Sequence, residues 1–416
     1  MAKTSVRQLA VSGLRVLVRA DFNVPLDGQQ RITDDLRIRQ FLPTLEDLVR
    51  RGARVVLMSH LGRPTGDPAQ DRRLSLRPVA HQLRELTGRP CCFASDCVGA
   101  EAVAASRALT DGQTLLLENL RFHEAETIID KAKKNPDGKL TAEQEQKRAE
   151  FARGLVALAD LYVNDAFGTC HRPHVSMYDV PAALGAGKRA VGFLIEKEIK
   201  YLGDALQSPR HPFVAILGGA KVSDKIGVIR NLLKTVDRVL VGGAMMFTFW
   251  AAQNRSVGRS LCERDKLDLA RELIQQGGDK LVLPVDCVAA AELKPDAATR
   301  VVEGEVPADL MGLDIGPRTR ELFARHIGTA ATIVWNGPLG AFETRPFYHG
   351  TYAAAKAIAD ATERGAISVI AGGDSAAAVE QARQANRVSH ISTGGGASLE
   401  FLEGRRFASL DIIDDA

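Results

Sequence analysis

Leu217-Gly218-Gly219-Ala220-Lys221-Val222-Ser223-Asp224-Lys225 is the stretch that decides the fold. It follows the apolar run Phe213-Val214-Ala215-Ile216 and precedes Ile226-Gly227-Val228-Ile229, which continues at helical spacing. That order predicts a buried strand, a glycine turn and a helix. Two glycines at the turn let the backbone come close to a ligand. A helix start offers unpaired N–H groups and a positive dipole end to an anion. Lys221 and Lys225 stand four apart, so on a helix they share one face. The stretch reads either as a polyphosphate cradle with two mobile cations or as a tight turn with two solvated lysines. It is not a Walker loop, because the G-x-x-x-x-G-K-[ST] order is absent.

Composition narrows the field. A chain of 416 residues predicts two domains. Lys and Arg number 54 against 51 Asp and Glu, a formal charge of +3. No global charge therefore recruits nucleic acid, and any basic site must be local. No apolar stretch approaches membrane-spanning length. The N-terminal residues, Met1 to Leu17, lack the apolar core of a signal peptide. The six cysteines form no C-x-x-C pair, so a reduced, cytoplasmic setting is expected.

The first half alternates strands with helices. Arg15 to Arg19 predicts a strand that ends in Ala20-Asp21-Phe22-Asn23-Val24-Pro25. A helix follows, with Ile38, Leu42, Leu45 and Val49 on one face, Asp34 or Asp35 as its cap and Gly52 beyond its end. Pro43 within it argues against a straight helix. Arg54 to Met58 is a strand that leads to Ser59-His60-Leu61-Gly62-Arg63-Pro64. Ser75 to Leu86 predicts a helix stopped by Gly88, and Thr114 to Leu117 a strand that leads to Glu118-Asn119-Leu120-Arg121-Phe122-His123. Asp130 to Lys147 is charged, with a turn at 135–138, and reads as an exposed insertion. Thr141 and Gln144 form a capping box for a helix that presents Phe151, Leu155 and Leu158. Leu161 to Val163, the last strand expected here, runs into Asn164-Asp165-Ala166-Phe167-Gly168-Thr169-Cys170-His171-Arg172.

Such alternation implies a parallel sheet with right-handed crossovers. The carboxyl ends of its strands share one edge, where ligands bind. Asp21, Asn23, His60, Arg63, Arg121, His171 and Arg172 then become neighbours, with Arg37 just beyond the first loop. That rim suits a small polyanion, because Arg engages carboxylate and phosphate in bidentate fashion. The alternative pairs single arginines with Asp21, Glu118 or Asp165, and Arg37 with Asp34 or Asp35. Cys170 has two readings as well. Positive neighbours lower a thiol pKa, whereas burial leaves the thiol inert.

Pro181 to Gly192 breaks the pattern. Its formal G-x-G-x-x-A at 185–190 is no dinucleotide fingerprint, because Asp179-Val180-Pro181 is a poor strand. Phe193 to Leu206 predicts a helix between the domains. The second half then repeats strand followed by glycine, at Gly242-Gly243, Asn336-Gly337-Pro338, Gly372-Gly373-Asp374-Ser375 and Gly394-Gly395-Gly396. Bare backbone at several strand ends favours a flat, phosphate-bearing ligand. Asp374, at a helix start, is the candidate near Mg²⁺, which needs few protein carboxylates. It serves equally as an N-cap.

Six motifs carry a resemblance. They are Val18 to Pro25, Ser59 to Pro64, Glu118 to Phe122, Asn164 to Thr169, Gly218 to Lys225 and Thr393 to Ser398. In that order, over essentially the whole chain, they resemble the phosphoglycerate kinase family. The resemblance implies an α/β fold of two Rossmann-like lobes with parallel sheets. Residues 1–185 would form a triose-binding lobe, 186–206 an interdomain helix and 207–400 a nucleotide-binding lobe. The tail, 401–416, would return to the first lobe. The implied reaction moves a phosphoryl group between 1,3-bisphosphoglycerate and ADP, with Mg²⁺. The expected enzyme is a monomer that closes its lobes by hinge-bending.

By position, Asp21, Phe22, Asn23, His60, Leu61, Gly62, Arg63 and Arg121 would hold the triose, with His171, Arg172 and Gly394 to Gly396, namely Gly394, Gly395 and Gly396. The nucleotide would be served by Gly219, Ala220, Lys221, Lys225, Gly242 and Gly243, by Gly312, Asn336, Pro338 and Glu343, and by Gly372, Gly373, Asp374 and Ser375. Arg37, Lys221 and Lys225 would meet the transferring group, and Asp374 the metal. Three features depart from the family pattern. Ala371 and Ser375 replace the usual glycine and threonine, Cys170 replaces a common alanine, and the insertion at 130–147 is long. The accepting carboxylate has a free pKa near ~3.5 and needs no general base. Catalysis by positioning and charge neutralisation is therefore expected. A nicotinamide dehydrogenase is excluded by the missing G-x-G-x-x-G after a strand. A non-catalytic two-lobed binding protein would not require Lys221, Lys225 and Asp374 together.

Overall fold

The computed structural model describes residues 2–135 and 138–416. Pro136 and Asp137, the centre of the expected turn, lie outside the described residues. The chain divides into two compact units, Met1–Ile199 with Arg406–Ala416, and Lys200–Arg405.

The first unit is built on six strands, β1 (Arg15–Ala20), β2 (Arg54–Met58), β3 (Cys91–Phe93), β4 (Thr114–Leu116), β5 (Leu161–Asp165) and β6 (Arg189–Val191). They lie in the order β3-β4-β2-β1-β5-β6, and every pairing is parallel. β1 and β5 are buried along almost their whole length rather than at alternate positions, as in a parallel sheet covered on both faces. The helix Leu36–Arg50 buries Ile38, Phe41, Leu45, Leu48 and Val49, while Leu42 is only half-buried. Pro43 faces solvent, and the helix runs through it. The capping box of Thr141 and Gln144 opens the helix Ala142–Val156 as expected.

Three features of this unit differ from the reading of the sequence. The strand β3 and the helix Gly99–Ala108 lacked a usable periodic signal. Within 186–206, residues Arg189–Val191 are not helical but pair with β5 as an edge strand, so Leu161–Asp165 is not the last strand. The segment after Asp130 is not wholly exposed, since Ala132 is buried.

The stretch Phe193–Glu198 is α-helical, Ile199–Gly203 adopts π-helical hydrogen bonding, and Asp204–Gln207 resumes the α-helix. The C-terminal residues belong to the first unit. Lys3 Nζ donates to Asp415 Oδ1 at 2.7 Å, and Arg189 Nη2 to Asp414 Oδ1 at 2.6 Å.

The second unit carries β7 (Phe213–Leu217), β8 (Arg238–Val241), β9 (Leu281–Val282), β10 (Asp286–Ala290), β11 (Thr299–Glu303), β12 (Met311–Ile315), β13 (Thr332–Asn336), β14 (Ile367–Ala371) and β15 (His390–Ile391). Six of these form a parallel sheet in the order β15-β14-β13-β7-β8-β9. Counted within that sheet this is the 3-2-1-4-5-6 order of a Rossmann fold, whose switch point lies between β7 and β13. A second sheet, β11-β10-β12, is antiparallel and was not expected. Trp250, Trp335, Phe247 and Phe323 fill the core.

Candidate functional site

In the first unit, the carboxyl ends of β1, β2, β4 and β5 carry the basic residues marked in the sequence. Phe22 is fully buried and packs edge-on against Phe41 at 5.3 Å, which fixes the loop after β1. Asn23 Oδ1 accepts from the Gly62 amide at 2.9 Å and ties that loop to the one after β2. Leu61 is buried, and its amide and carbonyl are both held by the Asn119 side chain. Gly62 takes φ +61°, and its carbonyl accepts from Arg121 Nη1 at 2.7 Å. The loops after three strands are thereby locked together.

Charge is distributed unevenly over this rim. Arg37 Nη1 pairs with Asp21 Oδ2, not with Asp34 or Asp35. Asp34 instead accepts the Leu36 amide at 2.9 Å, and Asp35 takes Arg39 at 2.7 Å. Among the described residues, Glu118 and Asp165 pair with no arginine. Glu118 accepts from Ser75 Oγ and the Leu76 amide, and Asp165 from the Ile195 amide at 3.1 Å. Arg63 is exposed and has no partner among the described residues. Arg172 Nε donates to His171 Nε2 at 3.1 Å, and its Nη1 stands 3.7 Å from Asp130. Burial and the neighbouring Arg19 pull the Arg121 guanidinium down to about 10.

His60 shows the effect of the surrounding field. It is buried, and Arg19 Nη2 lies 3.1 Å from its Nδ1. An arginine only donates, so Nδ1 accepts and the ring proton sits on Nε2. Burial and then Arg19, Arg121 and Arg37 hold His60 well below the ordinary histidine value, so it is neutral. Arg19, His174 and Asp130 belong to this network and escaped the sequence reading. Arg19 is the charged residue that follows the buried apolar run Val16-Leu17-Val18 within β1, and that oddity was the available signal.

Cys170 has the inert character. It is 1 % exposed, its Sγ faces the Ala166 carbonyl, and burial pushes its thiol up to about 12. Proximity in sequence to His171 and Arg172 does not outweigh that desolvation.

In the second unit the opening stretch behaves differently from its sequence reading. The helix starts only at Ile226. Lys221 lies in the loop and is exposed, while Lys225 stands at the cap and is buried. The two do not share a helix face. The Lys225 ammonium donates to Asn336 Oδ1, and burial lowers its pKa against the opposing pull of Asp224 and Asp374. Asn336 Nδ2 in turn donates to the Ala371 carbonyl at 2.7 Å, so the ends of β13 and β14 are joined.

Glycine is required at Gly218 and Gly219. The Gly218 amide donates to the Asn336 carbonyl at 2.9 Å and the Gly219 amide to the Pro338 carbonyl at 3.0 Å. A Cβ on Gly218 would stand 2.0 Å from Pro338 O, and Gly219 takes φ +111°. This close approach falls at the switch point of the sheet. Gly243, in the pair Gly242-Gly243 after β8, donates to the Leu339 carbonyl at 3.0 Å and completes the floor.

A cavity of about 490 Å³ opens over that floor. Gly219, Ala220, Gly243, Gly312, Pro338, Glu343 and Asp374 line it, as do Met311, Leu313, Phe247 and Phe342. Leu261 and Leu293 line it too and are 56 % and 52 % exposed, unusual for leucine. These apolar residues escaped the sequence reading, because nothing local distinguishes them from core. Asp374 is exposed, the second residue of the helix Gly373–Gln381, whose cap is Gly372. It is therefore not the N-cap. Ser375 is buried, and its Oγ accepts from the Gly337 amide at 2.6 Å. Gly394, Gly395 and Gly396 also lie in this unit, where the helix Gly396–Leu402 begins beyond β15.

Comparison with known proteins follows the same lines. A family model described as phosphoglycerate kinase matches residues 6–405. The phosphoglycerate kinase of Rhodopirellula baltica is 51 % identical over 419 residues, and that of Chlorobium phaeobacteroides 50 % over 419, each covering both chains completely. The structure of phosphoglycerate kinase from Coxiella burnetii superposes with a TM-score of 0.84 at 36 % identity, over 99 % of this chain and 98 % of that one. The Pyrococcus horikoshii enzyme does so at 0.79 and 29 %, over 98 % of each. With motifs, sheet order and end-to-end likeness in agreement, this chain belongs to the phosphoglycerate kinase family.

Proposed function

We propose that the chain transfers a phosphoryl group reversibly between ATP and the carboxylate of 3-phosphoglycerate, giving ADP and 1,3-bisphosphoglycerate. One observation carries the reading beside the family membership. Strand carboxyl ends in one unit form a donor-rich rim with a neutral histidine, and those in the other form a glycine-floored cavity beside a lysine and an aspartate. A carboxylate acceptor, ionised at neutral pH, needs no base.

In this reading the rim of Asp21, Asn23, His60, Arg63, Arg121, His171 and Arg172 binds the triose, with Phe22, Leu61 and Gly62 shaping it. Gly394 to Gly396 contribute amides on the same reactant's side. The cavity takes the nucleotide, with its base against Gly219, Ala220, Gly312, Pro338 and Glu343. Gly372 to Ser375 face its phosphates. Asp374 is the carboxylate that would hold Mg²⁺ there, and the ion would supply charge neutralisation beside the phosphates. The acceptor oxygen forms a bond to the γ-phosphorus as the bond to the bridging oxygen of ADP breaks. Arg37 and Lys221 meet the charge on the group in flight, and Lys225, preset on Asn336, sustains it. Arg37 must leave Asp21 for this, which a competing anion accomplishes. In-line transfer requires both reactants within reach and water excluded, which hinge-bending about 186–206 supplies. We take the enzyme to be a cytoplasmic monomer that acts on small molecules, not on nucleic acid or membranes.

An assay with 3-phosphoglycerate, ATP and Mg²⁺, coupled to consumption of the acyl phosphate, tests the reading. Turnover at kinase rates of about 1–100 s⁻¹ is expected. ATP bound without 3-phosphoglycerate-dependent ADP release would overturn it and favour a binding protein.

A further inference from the structure

Asp96, Cys97 and His123 lie together in the first unit, and the phosphoryl-transfer reading uses none of them. Asp96 and Cys97 sit between β3 and the helix Gly99–Ala108, and His123 follows β4 by a short turn. One ligand-competent atom from each residue lies within 4.8 Å of the other two. His123 Nε2 stands 2.5 Å from Asp96 Oδ1.

The three are held differently, as a metal site requires. Cys97 is fully buried, and its Sγ is aimed by the Glu118 carbonyl at 2.9 Å. The His123 ring stacks on Phe151 at 4.7 Å and 25°, which fixes its plane. Asp96 is exposed, its Oδ1 shared between His123 and the Cys97 amide, which donates at 2.6 Å, and the His123 edge is open to solvent. A buried sulfur at the back, a fixed nitrogen beside it and a movable oxygen in front make a half-open pocket.

We propose that Asp96, Cys97 and His123 bind a thiophilic divalent cation, Zn²⁺ foremost, with water in the fourth position. The donor set of sulfur, nitrogen and oxygen suits Zn²⁺ or Co²⁺ and not Mg²⁺ or Ca²⁺. Bonds of about 2.3 Å to sulfur and about 2.0 Å to nitrogen or oxygen place tetrahedral ligand atoms roughly 3.3–3.7 Å apart. For this the Asp96–His123 contact must open by about 1 Å and the Asp96 carboxylate must turn against its bond from the Cys97 amide, with solvent on its exposed side to take up the movement. The ion would pin the loop after β3 to the segment 118–123 that carries Arg121, so occupancy stiffens one side of the rim.

The test is titration of the full chain with Co²⁺ and with Zn²⁺, in the absence of nucleotide. One equivalent of Co²⁺ is expected to give tetrahedral d–d bands and a thiolate-to-cobalt charge-transfer band, and Zn²⁺ should displace it. His123→Phe keeps the ring stack on Phe151 and removes the nitrogen. It and Cys97→Ser should weaken binding by about a hundredfold or more, above the usual effect of losing a second-shell partner. Cys92→Ser, an exposed neighbour, should leave binding unchanged. Circular dichroism of each variant guards against misfolding, and His123→Phe alone suffices if Cys97→Ser does not fold. A charge-transfer band that is absent, or that survives in His123→Phe, would overturn the proposal.

Discussion

In the first unit the polar groups at the strand ends are side chains already engaged, Arg37 with Asp21, Arg19 with His60 and Arg121 with the Gly62 carbonyl. In the second they are mostly backbone, and close glycine contacts between the loops after β7, β8 and β13 shape the floor. Both sites occupy the carboxyl edge of a six-stranded parallel sheet, so architecture does not explain the difference. The two reactants proposed for them do. A small polyanion presents little surface and much charge, and directed guanidinium forks match it. A nucleotide presents a flat apolar base and a chain of phosphates, which call for bare backbone, apolar walls and few charges. Arginine pairs in the free protein keep the rim preorganised, while the glycine floor needs no such partners.

The largest effect expected separates charge in flight from charge at rest. Arg37→Ala should lower kcat and kcat/KM together by roughly a hundredfold or more, the range for donors that meet developing charge. Arg37→Lys should recover part, because a point charge lacks the planar fork. Arg121→Ala should act mainly on KM for 3-phosphoglycerate. Steady-state kinetics beside melting temperatures decide this, and a folded Arg37→Ala enzyme with normal kcat would remove Arg37 from the mechanism.

Asp374→Ala tests the carboxylate proposed for the metal in the second unit. Calorimetry should show Mg²⁺-nucleotide binding weakened about tenfold to a hundredfold, the scale of a charge-assisted contact, with 3-phosphoglycerate affinity intact. Equal losses for both ligands would refute the assignment.

Gly312→Ala probes the backbone-built site without touching charge. The new Cβ would stand 2.0 Å from the Phe247 ring, so about 1–3 kcal/mol of stability should be lost. Nucleotide affinity should fall with it, and triose affinity should not. An unchanged urea midpoint would show that the ring yields freely.

Burial pushes Asp165 in the first unit up to about 7 and Asp314 in the second up to about 8. Unfolded, both titrate near about 4. The native state therefore binds the extra proton between those values, and stability is lost as pH rises through the window. Asp314→Asn should flatten the fall in urea midpoint towards pH 8 while the Asp165 part, ending near 7, persists. A slope identical to the parent protein would show that Asp314 does not carry the proton.

The smallest effect is expected at Cys170. Alkylation of the folded protein should leave it unmodified while exposed Cys92 reacts, and 3-phosphoglycerate should make no difference. Peptide mapping that finds Cys170 labelled first would reverse the conclusion.

The alternation of strand and helix, the polar strand ends and the glycines after β7, β8 and β14 were legible in the sequence alone. Each is a short-range property of composition and periodicity. The polar and basic residues proposed to bind the anion in the first unit were legible as residues of strand ends, which a parallel sheet gathers at one edge. The late helix start at Ile226, the strand β6 and the antiparallel sheet were not, because tertiary pairing overrides local propensity. Partners were least legible of all. Lys225 and Asn336 stand 111 residues apart, and only the junction of β7 with β13 brings the ammonium against the amide. Arg37 had two aspartates beside it in sequence and chose Asp21, because folding placed that carboxylate within reach. Cys170 had cations beside it in sequence and became inert, because desolvation depends on every atom packed around it. Sequence determined which groups stand at the sheet edges. Tertiary structure decided which were buried, which were paired and which were left to meet a ligand, because burial and pairing are set by neighbours distant in the chain.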